Sequence, residues 1–368
     1  MFSCVATYIT HMKEIRGAVI IVGGAIGAGF ISGAELVRFF HTQYFFFPVL
    51  ISSLLFSVQC AFFLWLGKKY GGYEGALRSI FGRASSAIKA IILVLALIPC
   101  AGMLAGLDAL LPNLKPLASI LGIFVTAAVI ARGIRGISLV NLILVPLLLI
   151  FVFAYGGGQI ADFYPVLPKN FAGFGGGVVY AGMNVFLIAP VLLETGKDVK
   201  RPHCAAFFAA IVITATAFTI LGTIYRAGEG ALESEMPFLY VMQGKRAFSV
   251  MVALAIMTSL ASSLYPLMEA CGQFQGYKKY AAKTLILLAA FALSRFGLTG
   301  IVSIFYPVEG ILGLFLSAFC VLHEKFLKQH DKKVHHRRKQ TENDGRAHYK
   351  IQLKDLPTVH DEISKSSP

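Results

Sequence analysis

Apolar residues run along this chain in long stretches, interrupted by short clusters of charge, Gly and Pro, with no period-2 alternation to suggest strands. A bilayer core about 30 Å thick needs roughly 20 apolar helical residues to cross it. Stretches of that order predict helices over residues 16–40, 44–67, 85–111, 116–131, 136–155, 174–195, 204–225, 246–271, 278–295 and 298–322. Lipid offers the backbone no hydrogen-bond partners, so the expected fold is an all-α integral membrane protein with ten transmembrane helices. Two amphipathic stretches, 72–82 and 233–244, are expected to lie along the membrane surface.

Ten helices divide evenly into a first set over 16–155 and a second over 174–322, joined by the Gly- and Pro-containing loop "GGGQIADFYPVLPKNFAGF". Five helices per half would put the halves in the membrane with opposite orientation, the arithmetic of a 5+5 inverted repeat. The halves also share marks about 155 to 160 residues apart: a glycine-rich first helix, "LALIP" against "LAIMT" in the third, and Pro146 against Pro307 in the fifth. Residues 1–322 are therefore expected to form one transmembrane domain. The tail, 323–368, is polar and basic and is expected to be disordered in the cytoplasm.

Composition agrees with a membrane protein: 57% of the 368 residues are hydrophobic and 14% charged, against about a quarter charged in ordinary globular chains. The net charge of +14 is unevenly spread. With the N-terminus inside, 15 Lys and Arg fall on the cytoplasmic side before the tail, 7 on the opposite side and 11 in the tail. The positive-inside rule then predicts a multi-pass protein of the cell (inner) membrane with both termini cytoplasmic, and nucleic acid is not needed to explain the charge. The first helix has no cleavable-signal pattern, and Met12, directly before "KEIRG", is an alternative start to Met1. The six cysteines are scattered singly, as small apolar residues would be. No HExxH, GxSxG, P-loop or GxGxxG motif occurs, so no enzyme is expected.

The stretch "VGGAIGAGFISGAE" (22–35) carries five glycines inside an apolar helix. Gly23/Gly27 and Gly29/Gly33 are GxxxG steps suited to close helix packing. Each interior glycine, however, costs about 1 kcal/mol relative to alanine, and this density predicts a place where the helix unwinds. "GGGVVYAGMNVFLIAP" (175–190) predicts the same in the second half, so helices 1 and 6 are both expected to be broken. Of the acids within spans, Glu35 and Glu309 are candidates for a gate or a proton site, because intramembrane carboxylates are costly.

The runs "GAIGAGFISGAELVRFF", "YAGMNVFLIAPVLLETG" and "MTSLASSLYPLMEACGQ" resemble the YkvI-like permeases of the amino acid, polyamine and organocation superfamily. That resemblance implies a leucine-transporter-like fold and amino-acid-like substrates. The first-helix break, Gly27, Ala28 and Gly29 with Phe30, would then hold a substrate carboxylate by backbone N–H groups, and Tyr180, Gly182 and Asn184 would line the pocket. A sodium site would combine carbonyls near Val22 and Gly23 with Ser259, Ser262 and Ser263 of the eighth helix. No other cofactor is implied. The expected function is secondary active transport of an amino acid or similar small zwitterion by alternating access, coupled to sodium. A proton-coupled permease and a non-transporting ligand sensor of the same fold are the alternatives.

Overall fold

The computed structural model describes residues 2–40, 44–130, 134–160, 173–242 and 246–329; side chains are described from residue 14 on, and within 134–160 for residues 143–157. Among the described residues every regular element is helical. The first apolar segment is cut into α1 (Phe2–Ala25), α2 (Ala28–Ser32) and α3 (Ala34–Phe39). There follow α4 (Phe46–Tyr70), α5 (Tyr73–Phe81), α6 (Ser85–Leu95), α7 (Leu97–Leu110), α8 (Leu117–Ile130) and α9 (Ile134–Ile160). The second half of the sequence contains α10 (Phe174–Thr195), α11 (Pro202–Ala227), α12 (Glu229–Leu232), α13 (Pro237–Val241), α14 (Arg246–Ala270), α15 (Tyr277–Ser294) and α16 (Gly297–Gln329).

Six helical stretches among the described residues are long and apolar enough to cross a membrane: Phe46–Tyr70, Tyr73–Leu110, Phe174–Thr195, Pro202–Ala227, Arg246–Gln273 and Gly297–Gln329. Leu117–Ile130 and Ile143–Gly157 are shorter apolar helices. Their outward faces carry large bare side chains, among them Leu54, Phe124, Ile150, Phe207 and Phe315. An apolar surface of that extent is unfavourable in water and suited to lipid.

The structure corrects several expected boundaries, each for a local reason. The helix expected over 85–111 turns at Ala96, because the Pro99 ring excludes the carbonyl of residue 95 from the helical ladder. The surface helix expected over 72–82 is α5, whereas in that expected over 233–244 only the short α13 forms, with Pro237 at its first position and α12 ending before the stretch begins. The last helix does not stop at 322 but continues to Gln329, since "HEKFLKQ" consists mainly of good helix formers with no breaker. The tail expectation beyond Gln329 and the loop over 161–172 lie outside the described residues.

The largest correction concerns helix 6. α10 runs unbroken from Phe174 to Thr195, through Pro190. Gly175 and Gly176 precede the first ladder bond, which Gly177 N–H donates to Gly173 O at 3.0 Å, so these glycines sit at the very start of the ladder, where they interrupt little of it. Gly176 and Gly177 instead let α10 lie against the main chain of Phe39 and Pro48.

The described residues up to Ser317 form one compact unit, and the described residues from Ala318, the end of α16, are assigned to another. In the first unit α4 packs on α10 and α11, α1 on α11 and α10, and α7 on α14 and α15. These packings enclose the cut segment α1–α3, in which Ala28 to Ser32 are all buried.

Candidate functional site

The break begins where α1 ends. Val22 O still accepts the Ile26 N–H at 2.8 Å, but Gly27 is extended (φ −89°, ψ −176°), and the ladder restarts with Ile31 N–H to Gly27 O at 3.0 Å. The last carbonyls of α1 and the first N–H groups of α2 therefore lose their intrahelical partners at mid-segment. A second interruption follows at Gly33, whose φ of 81° is left-handed and strained for any residue with a Cβ. It turns α3 so that Glu35, 5% exposed, folds back onto Gly29.

Glu35 is held there by Tyr180 of α10, whose hydroxyl donates to Oε2 at 3.3 Å. Phe39 and Phe40 pack against the Tyr180 ring at centroid distances of 5.1 and 5.3 Å. One helical turn along α10, Asn184 Nδ2 donates to Tyr180 O at 3.0 Å. Phe30, Tyr180 and Asn184, three of the residues expected to bind substrate, line one cavity together with Ala25, Phe40, Ser52, Ser53 and Phe56. Arg38, close to Glu35 in sequence, is exposed, so Glu35 turns inward to Tyr180 rather than outward.

Two of the expected pocket residues lie elsewhere. Gly182 faces α16, where its main chain meets Gly310 and Gly313; it serves a helix crossing that a side chain would push apart. Gly29 is covered by the Glu35 carboxyl, so it faces this group rather than open cavity. Gly27 and Ala28 remain at the break itself.

The residues expected to hold sodium are only partly gathered. Ser259 Oγ of α14 lies 3.8 Å from where a Gly27 side chain would begin. Ser262 is exposed and donates to Thr258 O of its own helix at 2.9 Å, while Ser263 is half-buried. At 100° per residue Ser263 lies about 40° from the direction of Ser259 and Ser262 about 60° to the other side. Val22 is drawn into helical bonding, and Gly23 packs toward Val145. The described residues include no cluster of three or more His, Cys, Asp or Glu able to hold a metal ion.

Sequence reading missed Ser52, Ser53, Phe40 and Phe56 of the cavity, since hydroxyls and aromatics inside an apolar helix look like ordinary packing. It also missed Tyr306, whose hydroxyl fills the space left by Gly102 at 2.7 Å and stands within electrostatic reach of Glu35, Glu309 and Cys100.

No family profile matches the chain. It is 24% identical over 331 residues to the uncharacterized membrane protein YkvI of Bacillus subtilis (strain 168), covering 82% of this chain and 95% of that protein. The chain is thus similar along most of its length to a bacterial membrane protein. A second relative, the uncharacterized protein YyaD of the same strain, is 19% identical over 335 residues, covering 84% of this chain and 96% of that protein. Among solved structures, the fold is similar to that of Mhp1, a nucleobase-cation-symport-1 family transporter in a closed conformation with bromovinylhydantoin bound. The TM-score is 0.50 at 16% identity, over 84% of this chain and 74% of that one. That likeness shows the fold, which this chain shares with a membrane transporter.

Proposed function

We propose that this protein is a secondary transporter that carries an amino acid or a similar small zwitterion by alternating access around the cut first helix. The carrying observation is the pairing of opposite electrostatic features at one place. The backbone N–H groups at Gly27 and Ala28 favour a carboxylate, and the Glu35 carboxyl, fixed over Gly29 by Tyr180, favours an ammonium. A zwitterion needs both within one small molecule's reach. Phe30, Tyr180 and Asn184 then shape the cavity beside it.

The 5+5 inverted repeat and ten spans are part of this proposal, and the helix contacts support it. With α1–α3, α4, α6–α7, α8 and α9 as one half and α10, α11, α14, α15 and α16 as the other, packings come in exchange-related pairs. α4 on α10 is matched by α1 on α11, α8 on α14 by α15 on α7, and α9 on α14 by α16 on α7. A two-fold relation between halves produces that pattern. In such a carrier one half rocks against the other around a fixed site, in a cell membrane with both termini inside.

The test is a thermal-stabilisation panel of the standard amino acids on purified protein, followed by radiolabelled uptake of any that stabilise it into proteoliposomes. Transport predicts accumulation above the external concentration. A sensor of the same fold predicts stabilisation without accumulation. Sodium as the coupling ion rests on Ser259 beside the break, so Ser259→Ala should then remove any sodium dependence of uptake and Ser262→Ala leave it.

A further inference from the structure

Glu309 lies where α16 passes between α10 and α7. Toward α10, Gly310 and Gly313 let the two backbones touch at Val179 and Gly182; toward α7, Gly102 makes room for the hydroxyl of Tyr306. The Glu309 side chain is 0% exposed, and neither carboxyl oxygen has a hydrogen-bond partner among the described residues. An ionised carboxylate left in that state is strongly unfavourable, a protonated one far less so.

Among the described residues no cation is buried beside it to offset the charge, and Arg38 of α3 is exposed. The titratable groups that face it are Glu35 from α3, Tyr306 from its own helix and Cys100 from α7. Tyr180 from α10 donates to Glu35. The acid of α7, Asp108, is tied to Arg295 at 2.5 Å. α4 meets α16 two turns farther on, where Gln59 donates to Ser317, and Cys60 is the one titratable residue in its buried stretch over 48–67. Glu35 therefore has a donor suited to its ionised form, and Glu309 has none. Two acids sharing one buried field do not both ionise.

The backbone beside Glu309 also departs from a regular α-helix. Residues Ile301–Phe305 form a π-helical turn just before Pro307. That wider turn accommodates a proline ring that would strike the carbonyl of residue 303 in a regular α-helix.

We propose that Glu309 is a proton-binding site of the carrier, loaded while α16 is packed on α7 and α10 and emptied to water when α16 parts from them. On release the carboxyl O–H bond breaks and the proton passes to water, leaving a hydrated carboxylate. The emptying step rests on the alternating-access reading; the loaded state does not.

Infrared spectroscopy of the full-length protein in phosphatidylethanolamine–phosphatidylglycerol vesicles tests it. At neutral pH the wild type should show the C=O stretch of a protonated carboxylic acid, shifted in heavy water and lost at alkaline pH. Glu309→Gln should lack that band and Glu35→Gln should keep it. A wild type without the band overturns the proposal whether or not the variants fold, and so does a band that survives in Glu309→Gln. In uptake of a labelled amino-acid mixture, an inward proton gradient should drive accumulation that Glu309→Gln loses. Accumulation driven by sodium alone and unchanged in Glu309→Gln overturns the proposal. Absence of accumulation under every gradient overturns the transport reading and the emptying step, while the infrared band still decides the loaded state.

Discussion

The two glycine-rich stretches, 22–35 and 174–182, look alike on paper and behave differently in space. The first is cut twice, at residues 26–27 and at Gly33, while the second starts a helix that continues to Thr195. Placement explains the contrast better than number. In the first stretch the glycines are spread over three turns, at 23, 24, 27, 29 and 33, so they lie inside the hydrogen-bonded ladder. In the second, three are bunched at the helix start, where the first ladder bond is only being made by Gly177, and Gly182 is used for contact with α16. A buried acid also completes the first stretch: Glu35 covers Gly29 and binds Tyr180. Nothing of that kind is present on α10.

Substitutions along the two stretches sharpen this contrast. The largest effect is expected at the crossing: Gly182→Leu drives a side chain into the Gly310 main chain and Leu314, and should lower stability by about 3 kcal/mol, read as loss of monodisperse protein and of melting temperature. Gly33→Ala comes next, at about 2 kcal/mol, because it strains a left-handed residue whose Cβ would also lie 2.5 Å from Ile224 Cδ1. Its effect on solute binding should exceed its effect on melting temperature if the cut segment is the site.

Tyr180→Phe should be milder, about 1 to 2 kcal/mol, through the lost bond to Glu35, and should weaken amino-acid stabilisation of the purified protein. Gly175→Ala should be the smallest, within about 0.5 kcal/mol, since that glycine is exposed with nothing within 4 Å of the added methyl. If Gly175→Ala instead disturbs solute binding as much as Gly33→Ala, the distinction between a cut helix and a whole one is wrong.

These particulars also show how far the sequence could be read. The apolar runs announce their helices because lipid demands an uninterrupted backbone ladder, so α4, α11, α14 and α15 begin and end within about three residues of expectation. The cut at Gly27 was legible for the same reason, as a local excess of residues that weaken a helix. The wholeness of α10 was not, because a glycine's cost depends on its place in the ladder and on whether a neighbouring backbone needs the space. The site was half legible. Phe30, Tyr180 and Asn184 meet in one cavity, yet Glu35 and Glu309 have opposite environments that only packing decides: one has Tyr180, the other no partner. Likewise Ser259 and Ser262 are equivalent in composition but not in direction.

The central claim, that the cut first helix is where a small zwitterion is carried, is tested most directly by uptake into proteoliposomes containing the wild type or Gly33→Ala. The account predicts that at least one standard amino acid accumulates above its external concentration with the wild type, and that Gly33→Ala abolishes this while still reconstituting. Stabilising binding without accumulation, or accumulation undiminished by Gly33→Ala, would contradict it.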